Sequence, residues 1–328
     1  MKLKIEDLWS KETFLDKIVY IEEKIITEVP EIPRWCDQLE LVKKNINIGD
    51  CRLYVEEIGK GLPIVLLHGG PGSTHHEFHP FFTKAKNFSR IILYDQRGCG
   101  ISDYEPGNGY TFDQAIEDLE KLRKTLNIDK WVVLGHSYGG FLAQGYAIKY
   151  PENLLGLILV AALPPHDIDS PIDNERQMEY ISDDEKKKLD EVREEAEKRI
   201  TKMAQLVYNL QINGDWKRQS YYRPSKEKIA QVALYEWKQD KNFNQIMSES
   251  YMNFDLQSSY LEKLSIPMLL IEGKWDLTWK EDKASAFHKA YPKSQLVILD
   301  KSGHNPFGDE PEKFFDLLKE FIDSVKLE

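Results

Sequence analysis

Short, nearly continuous apolar runs alternate with stretches of helical periodicity over most of this chain. Such runs are typical of strands buried on both faces. The runs are Pro63 to Leu67, Arg90 to Tyr94, Trp131 to Leu134, Gly156 to Ala161, Pro267 to Ile271 and Gln295 to Leu299. The helical stretches are Thr111 to Leu126, Gly139 to Tyr150, Glu281 to Ala290 and Pro311 to Lys326. Strands that alternate with helices predict an α/β protein with a doubly wound, mostly parallel sheet.

An antiparallel hairpin is predicted ahead of this alternation. Leu41 to Ile48 and Arg52 to Ile58 alternate apolar with polar positions, which is typical of paired antiparallel strands. Gly49-Asp50 lies between them and is typical of a tight hairpin turn. The hairpin brings the predicted sheet to eight strands.

The alternation stops after Leu163 and resumes only at Ile266. Within this interval the apolar residues of a charged stretch form one face of a helix. They are Leu189, Val192, Ala196, Ile200 and Met203. We interpret residues 164–256 as an inserted helical lid, and residues 41–163 and 257–328 as the α/β core.

Residues 1–40 precede the hairpin and are predicted to form a helical extension. Apolar residues from Ile5 to Ile26 recur at helical spacing, and Pro30 and Pro33 end the pattern. We expect this extension to pack on the core. The alternatives are a membrane-surface helix and a helix that joins two copies of the chain into a homo-oligomer, although its polar face mixes both signs of charge.

Composition and charge narrow the class of protein. Hydrophobic residues make up 41% and charged residues 30% of the 328 residues, a balance typical of a folded globular protein. The formal net charge of -11 argues against a nucleic-acid partner, because phosphate binding needs clustered Lys and Arg. The longest apolar stretch, Leu154 to Leu163, is shorter than the roughly 20 residues of a membrane-spanning helix. With no apolar leader near the N-terminus, we expect a cytoplasmic protein without stable membrane insertion.

Cysteine usage agrees with a reducing compartment. Cys36, Cys51 and Cys99 are scattered and odd in number, so they make neither a disulfide framework nor a metal-binding spacing motif. We therefore expect no metal and no organic cofactor.

The strongest chemical signal is the pattern G-x-S-x-G at residues 135–139, with Ser137 at its centre. By composition alone this pattern arises in on the order of one chain in ten of this length. Here it lies directly after a predicted strand and directly before a predicted helix. That context indicates a strained turn which exposes a nucleophilic hydroxyl at a helix N-terminus. The alternative is a structural serine in a turn.

A serine nucleophile needs a base and a carboxylate that orients the base, in the chain order serine, acid, histidine. Among eight histidines, His304 alone lies in a loop that follows a late strand. Asp276 follows the strand that ends at Ile271, at the carboxyl edge of the sheet where sites of α/β folds gather. Asp300 is the competing carboxylate. We predict a triad of Ser137, His304 and Asp276.

Backbone N–H groups must hold the oxyanion of the intermediate. One is expected from Tyr138, the residue after the nucleophile, and the other from the glycine-rich loop after the strand Pro63 to Leu67. In that loop we favour Gly70, with Gly69 second, because glycine lets the backbone approach a substrate closely.

These features resemble the α/β-hydrolase superfamily, from about Leu41 to the end of the chain. Within it the chain resembles the proline iminopeptidases, also called prolyl aminopeptidases. Two runs carry this likeness, His68-Gly69-Gly70-Pro71-Gly72 and Asp95-Gln96-Arg97-Gly98-Cys99-Gly100-Ile101-Ser102. Relatives with an aspartate nucleophile, the epoxide hydrolases and haloalkane dehalogenases, are excluded by Ser137.

The resemblance implies an aminopeptidase that acts on short peptides with a free N-terminal residue, often proline, whose amino group binds to lid carboxylates. Glu236 beside Trp237, Glu249 and Asp255 are available in the lid. His136 and Tyr138 are as typical of esterases as of peptidases. A carboxylesterase, lactonase or amidase that acts on a small metabolite is therefore the alternative, and a ligand-binding protein with little turnover is a second one.

Overall fold

The computed structural model describes residues 4–13, 21–104, 109–168, 178–200, 202–279 and 282–326. The strands are β1 (Trp9–Thr13), β2 (Val42–Asn47), β3 (Arg52–Ile58), β4 (Pro63–Leu67), β5 (Arg90–Tyr94), β6 (Trp131–His136), β7 (Leu154–Val160), β8 (Tyr222–Pro224), β9 (Met268–Gly273) and β10 (Gln295–Leu299). The helices are α1 (Phe112–Thr125), α2 (Tyr138–Lys149), α3 (Asp183–Arg199), α4 (Met203–Ile212), α5 (Lys226–Gln231), α6 (Phe243–Met252), α7 (Ser258–Leu261), α8 (Lys283–Ala290), α9 (Pro306–Asp309) and α10 (Pro311–Val325). None of these helices has the length and apolar character that a membrane span requires.

The main sheet has eight strands in the order β10-β9-β7-β6-β4-β5-β3-β2. Neighbours from β10 to β5 run parallel, whereas β3 is antiparallel to both β5 and β2. This confirms the predicted mostly parallel, eight-stranded sheet. Its parallel strands end on one edge, where the loops that follow them come together.

Both faces of the central strands β4 to β7 and β9 are buried, as continuous apolar strands require. In β6, Trp131 and Val133 pack into one hydrophobic cluster, while Val132 and Leu134 pack into the other. Helices α1 and α2 contribute to the first cluster, and α10 contributes to the second. The sheet is thus covered by helices on both sides.

The segment between β7 and β9 carries most of the remaining helices and the short strand β8. Helix α3 begins with a capping box, in which Ser182 and Glu185 satisfy each other's backbone N–H groups. Apolar side chains from α4, α5 and the π-helical turn Val232–Glu236 form a separate small cluster. This segment therefore has packing of its own, in addition to its contacts with the sheet.

The amphipathic helices predicted for the N-terminal extension are wrong where the structure describes it, because its helical residues are limited there to the single 3-10 turns Ile5–Asp7 and Trp35–Gln38. Residues 1–3 and 14–20 lie outside the described part. Trp9–Thr13 forms β1, which pairs antiparallel with β8, and residues 21–34 contain no helix. Backbone groups of the extension bond to distant segments of the chain. The Ser225 N–H donates to Leu8 O at 2.8 Å, and the Ile26 N–H donates to Asn209 Oδ1 at 2.7 Å. Non-local pairing replaces the intrahelical bonds that the apolar periodicity suggested.

Candidate active site

Ser137 lies in the sharp turn between β6 and α2. Its backbone has φ 53° and ψ -121°, a conformation that residues with a side chain rarely adopt. The flanking glycines leave no room for a side chain. A Cβ on Gly135 would lie 2.2 Å from Gly139 O, and one on Gly139 would lie 2.1 Å from Leu67 O. The pattern G-x-S-x-G is therefore a steric requirement of the close approach between strand and helix.

His304 and Asp276 meet at the edge of the sheet where β9 and β10 end. The Nδ1–H of His304 donates to Asp276 Oδ2 at 2.8 Å, and both side chains are buried. Burial by itself raises the pKa of Asp276. The His304 imidazole and the Lys283 ammonium more than offset this and hold that pKa well below its usual range. Asp276 is thus an ionised carboxylate that fixes the orientation of the imidazole through Nδ1.

The loop that carries His304 is fastened to the inserted segment. The His304 N–H donates to Gln219 O at 2.8 Å. Asp309 Oδ2 accepts from the N–H of Gly303 at 2.7 Å and from the N–H of Tyr221 at 3.0 Å. One buried carboxyl therefore joins the histidine loop to the chain that covers it.

Ser137 and His304 line one cavity of about 240 Å³. The core contributes the loop residues Gly69 and Gly70, and β1 contributes Trp9. The inserted segment supplies the largest share of the wall, with Gln211, Trp216, Gln219, Ser220, Pro224, Lys228, Ile229, Val232, Glu236 and Trp237. A substrate that reaches Ser137 therefore contacts mainly side chains of the inserted segment, which determine which substrates fit.

Of the three backbone N–H groups that are candidates to stabilise the oxyanion, one already has a partner within the protein. The Gly69 N–H donates to Glu77 Oε1 at 2.9 Å, so it is engaged and is not a donor to substrate. Gly70 has φ 115° and lines the cavity. Tyr138 is the first residue of α2, where helical N–H groups lack intrahelical acceptors. Gly70 and Tyr138 remain the candidate pair.

The lid residues chosen from the sequence fall in two places. Glu236 and Trp237 line the cavity with Ser137. Glu236 is buried and accepts from Lys228 Nζ at 2.6 Å. Burial raises the pKa of Glu236, and Lys228 opposes this rise. Glu249 is exposed and lies with Asp255 at a separate surface depression, so the structure does not bring it to the site.

His136 and Glu77, which the sequence did not identify as candidate site residues, link the loops that surround Ser137. The Nε2–H of His136 donates to His304 O at 2.8 Å, and Nδ1 of His136 lies 3.1 Å from Glu77 Oε1. Burial lowers the pKa of His136, but the Glu77 carboxylate outweighs it and raises that pKa. Glu77 thus joins two loops through His136. One is the glycine-rich loop at residues 68–72, called the oxyanion loop because it carries the candidate donor Gly70, and the other is the loop that carries His304, called the histidine loop. Local sequence offers no signal for this, because Glu77 lies 59 residues from His136.

Comparison with known proteins agrees with this architecture. The family described as alpha/beta hydrolase fold matches residues 63–311. A proline iminopeptidase of Saccharolobus solfataricus is 31% identical over 290 residues, which is 81% of this chain and 86% of that protein. Among solved structures, a thermophilic esterase from Thermogutta terrifontis has a TM-score of 0.65 at 24% identity over 88% of this chain and 99% of that one.

A proline iminopeptidase from Mycobacterium smegmatis has a TM-score of 0.64 at 20% identity, covering 87% of this chain and 99% of that one. At these identities the two structures share the fold, which hosts many activities. The sequence relative and the family match carry the assignment further. The chain belongs to the α/β-hydrolase family, is similar to proline iminopeptidases, and is a serine hydrolase.

Proposed function

We propose that this chain is an aminopeptidase that releases N-terminal residues, preferably proline, from short peptides. The observation that carries the proposal is the pair of buried carboxylates, Glu77 and Glu236, in the wall of the cavity that holds Ser137. Each carboxylate already contacts one basic side chain, His136 or Lys228, and keeps further acceptor positions. An amino terminus that enters the cavity needs such an acceptor, because a buried ammonium must be paired, whereas a neutral acyl ester does not.

The proposed reaction is acyl transfer from the peptide to Ser137 and then to water. Nε2 of His304 takes the hydroxyl proton while Ser137 Oγ attacks the carbonyl carbon of the first residue. The N–H groups of Gly70 and Tyr138 stabilise the oxyanion. His304 then protonates the departing amine, which breaks the peptide bond, and Asp276 stabilises the imidazolium form. Water, deprotonated by His304, releases the first residue as the free amino acid.

Glu236 is the residue proposed to bind the substrate's amino group. Its Oε1 is occupied by Lys228, and a carboxylate has further acceptor positions for a second cation. Lys228 also lies 5.7 Å from the rings of Trp35 and Phe81, which holds the ammonium in place. The pair therefore offers an oriented acceptor in a buried wall.

The size of the cavity agrees with a single residue as the bound acyl group. Its volume of about 240 Å³ is below the roughly 300–1,000 Å³ of sites for drug-sized ligands. Trp9, Phe81 and Trp216 contribute aromatic surface to its wall. A small apolar ring such as that of proline suits such a wall.

The proposal is tested by comparing a proline arylamide with short acyl esters that lack an amino group. We expect hydrolysis of the arylamide with a higher kcat/KM than of the esters, and loss of both activities in Ser137→Ala. Turnover of esters alone would contradict the aminopeptidase proposal and would identify the chain as a carboxylesterase, lactonase or amidase. If Ser137 of the folded protein does not react with a fluorophosphonate, the chain is instead a ligand-binding protein with little turnover.

Glu236→Gln tests the role of the carboxylate in substrate choice. Loss of a charged hydrogen bond of about 1.5–3 kcal/mol predicts a KM for the arylamide that is on the order of 10- to 100-fold higher, with little change for the esters. Steady-state kinetics on both substrates measures this difference. Glu249→Gln is the matched control, because Glu249 is exposed and lies outside the cavity.

Glu236→Gln leaves Lys228 without its buried partner, so a second variant is needed. The double variant Lys228→Met with Glu236→Gln removes both charges and should show the same selective rise in KM. Equal losses on arylamide and ester in both variants would mean that Glu236 only supports the fold.

A further inference from the structure

A second group of chemically reactive side chains lies apart from the cavity of Ser137. It consists of Cys36, Glu56, His75 and His79, all of them buried. Cys36 belongs to the N-terminal extension, Glu56 to β3, and the two histidines to the segment that follows the oxyanion loop. None of the four is among the residues that line the catalytic cavity. The fold thus gathers them from three separate parts of the chain.

Their potential ligand atoms are close enough for one metal ion. One atom from each residue lies within 4.8 Å of the corresponding atoms of the other three. Nε2 of His79 lies 2.7 Å from Glu56 Oε2, and Nε2 of His75 lies 3.4 Å from Glu56 Oε1. Ligands of a tetrahedral zinc ion are about 3.3–3.8 Å apart, given bonds of about 2.0–2.3 Å. Binding would therefore require the most widely spaced of the four atoms to approach by up to about 1 Å.

One ring nitrogen of His75 is held by a carboxylate, as in many metal-binding histidines. Nδ1 of His75 donates to Asp95 Oδ1 at 2.7 Å. Asp95 is itself fixed, because its Oδ1 accepts from the His75 N–H and its Oδ2 accepts from the Ile101 N–H. The remaining nitrogen, Nε2, is buried and faces Glu56 Oε1 at 3.4 Å without a well-formed hydrogen bond to the described residues. His75 is oriented as a carboxylate–histidine–metal arrangement requires.

The charges in the cluster also call for a cation. Glu56 and Asp95 are both fully buried, and a third group that can lose a proton, the Cys36 thiol, lies beside Glu56. Without an ion, histidine protons must compensate two carboxylates in a medium where unpaired charge is costly. A divalent cation balances the Glu56 carboxylate and a Cys36 thiolate directly.

We propose that Cys36, Glu56, His75 and His79 bind a structural zinc ion that fastens the N-terminal extension to the sheet. Sulfur and imidazole ligands favour zinc over magnesium and calcium. Four protein ligands leave no open position, which is typical of structural sites. Binding displaces the thiol proton of Cys36 and any protons on Nε2 of the two histidines. The irregular spacing of these residues along the chain explains why the sequence predicts no metal motif.

Metal content of the full-length, tag-free protein tests the proposal. After incubation with zinc and dialysis against metal-free buffer, mass spectrometry should find about one zinc per chain. Cys36→Ser and His79→Asn should lose most of it. His76→Asn is the matched control, because His76 is equally buried in the same segment but bonds to Gln231 instead, and this variant should keep its zinc. Cys51→Ser is the corresponding cysteine control.

Cobalt titration keeps the test decisive if the variants do not fold. Wild-type protein should develop the near-ultraviolet thiolate-to-cobalt band and the visible bands of tetrahedral cobalt, and zinc should remove both. It should also unfold at a lower temperature after chelation. A wild-type protein that binds neither ion would overturn the proposal and leave the cluster as a hydrogen-bonded network. Retention of full zinc by folded Cys36→Ser would overturn it equally.

Discussion

At the scale of single residues, Asp276 is the carboxylate on which the proposed base depends. We predict that Asp276→Asn lowers kcat on the order of 10⁴-fold, because an amide no longer stabilises the imidazolium and favours the wrong tautomer of His304. Rates on the preferred substrate of the wild type, at a pH near 8, measure this loss. Circular dichroism establishes that the variant is folded.

Asp300→Asn is the control for Asp276→Asn. Asp300 is the competing carboxylate by sequence, but its side chain is 72% exposed and lies 3.9 Å from Lys274. Its replacement should change kcat by less than about threefold, since exposed ion pairs contribute little. A comparable loss in both variants would contradict the proposed role of Asp276 as the carboxylate that orients His304.

The residues predicted from the sequence differ in one respect from those it missed. Ser137 lies in a local motif, and His304 and Asp276 follow strands at one sheet edge, so chain order and topology point to them. Glu77 and Lys228 carry no local pattern, and their roles arise only from contacts across the fold. Buried charge pairs of this kind cannot be found without the three-dimensional arrangement.

At the scale of elements, the contact between α2 and β4 positions Ser137, the proposed nucleophile. A Cβ on Gly139 would meet the backbone oxygens of Leu67 and His68 at 2.1 and 2.6 Å, and backbone cannot move aside cheaply. We predict that Gly139→Ala destabilises the fold by about 3 kcal/mol or more. Urea denaturation followed by circular dichroism measures this change, and activity should fall with it.

Gly145→Ala in the same helix is the matched control for Gly139→Ala. Its nearest neighbours are side-chain atoms, Phe112 Cε1 at 2.8 Å and Ile116 Cδ1 at 3.0 Å, which can shift. The gain in helix propensity of about 1 kcal/mol offsets part of the remaining cost. Equal destabilisation by the two substitutions would show that crowding against β4 is not what limits residue 139.

Elements of the sheet were predictable to within one or two residues, whereas β1 was not. The central strands β4 to β7 and β9 are largely apolar because both their faces are buried, so their pattern is independent of which strand pairs with which. Trp9–Thr13 is a strand only because Tyr222–Pro224 lies beside it. A short segment with mixed pattern takes its structure from a partner more than 200 residues away, and periodicity does not contain that information.

At the scale of the whole molecule, the buried carboxylates that have a shifted pKa divide by the direction of that shift. Partners hold the pKa values of one group below the usual range, and this group includes Glu56, Glu57, Glu77, Asp95, Glu120 and Asp276. Its stabilising contribution is complete above the unfolded pKa of about 4 and is lost as the pH falls below it. Burial raises the pKa values of the other group, which comprises Glu236, Glu272 and Asp309.

For a carboxyl group whose folded pKa is raised, the sign is the opposite. Burial raises the pKa of Asp309 to about 7, although three backbone N–H groups oppose the rise, and neighbouring Glu310 adds to it. The folded state therefore binds a proton between about pH 4 and 7 that the unfolded state has lost. The contribution of this group to stability is present below pH 4 and disappears as the pH rises through about 7.

Asp309→Asn isolates this contribution, because all other titratable side chains are the same in the two proteins. Asn keeps an oxygen to accept from Gly303 and Tyr221, and it has no proton to lose. Between about pH 5.5 and 7.5 the free energy of unfolding of the wild type should fall relative to that of the variant by on the order of 2 kcal/mol. Urea midpoints across this range measure the difference, with exposed Asp316→Asn as the control for loss of one acidic side chain. Parallel curves for wild type and Asp309→Asn would mean that Asp309 is already ionised at pH 5.5, and that its hydrogen bonds to the histidine loop outweigh its burial.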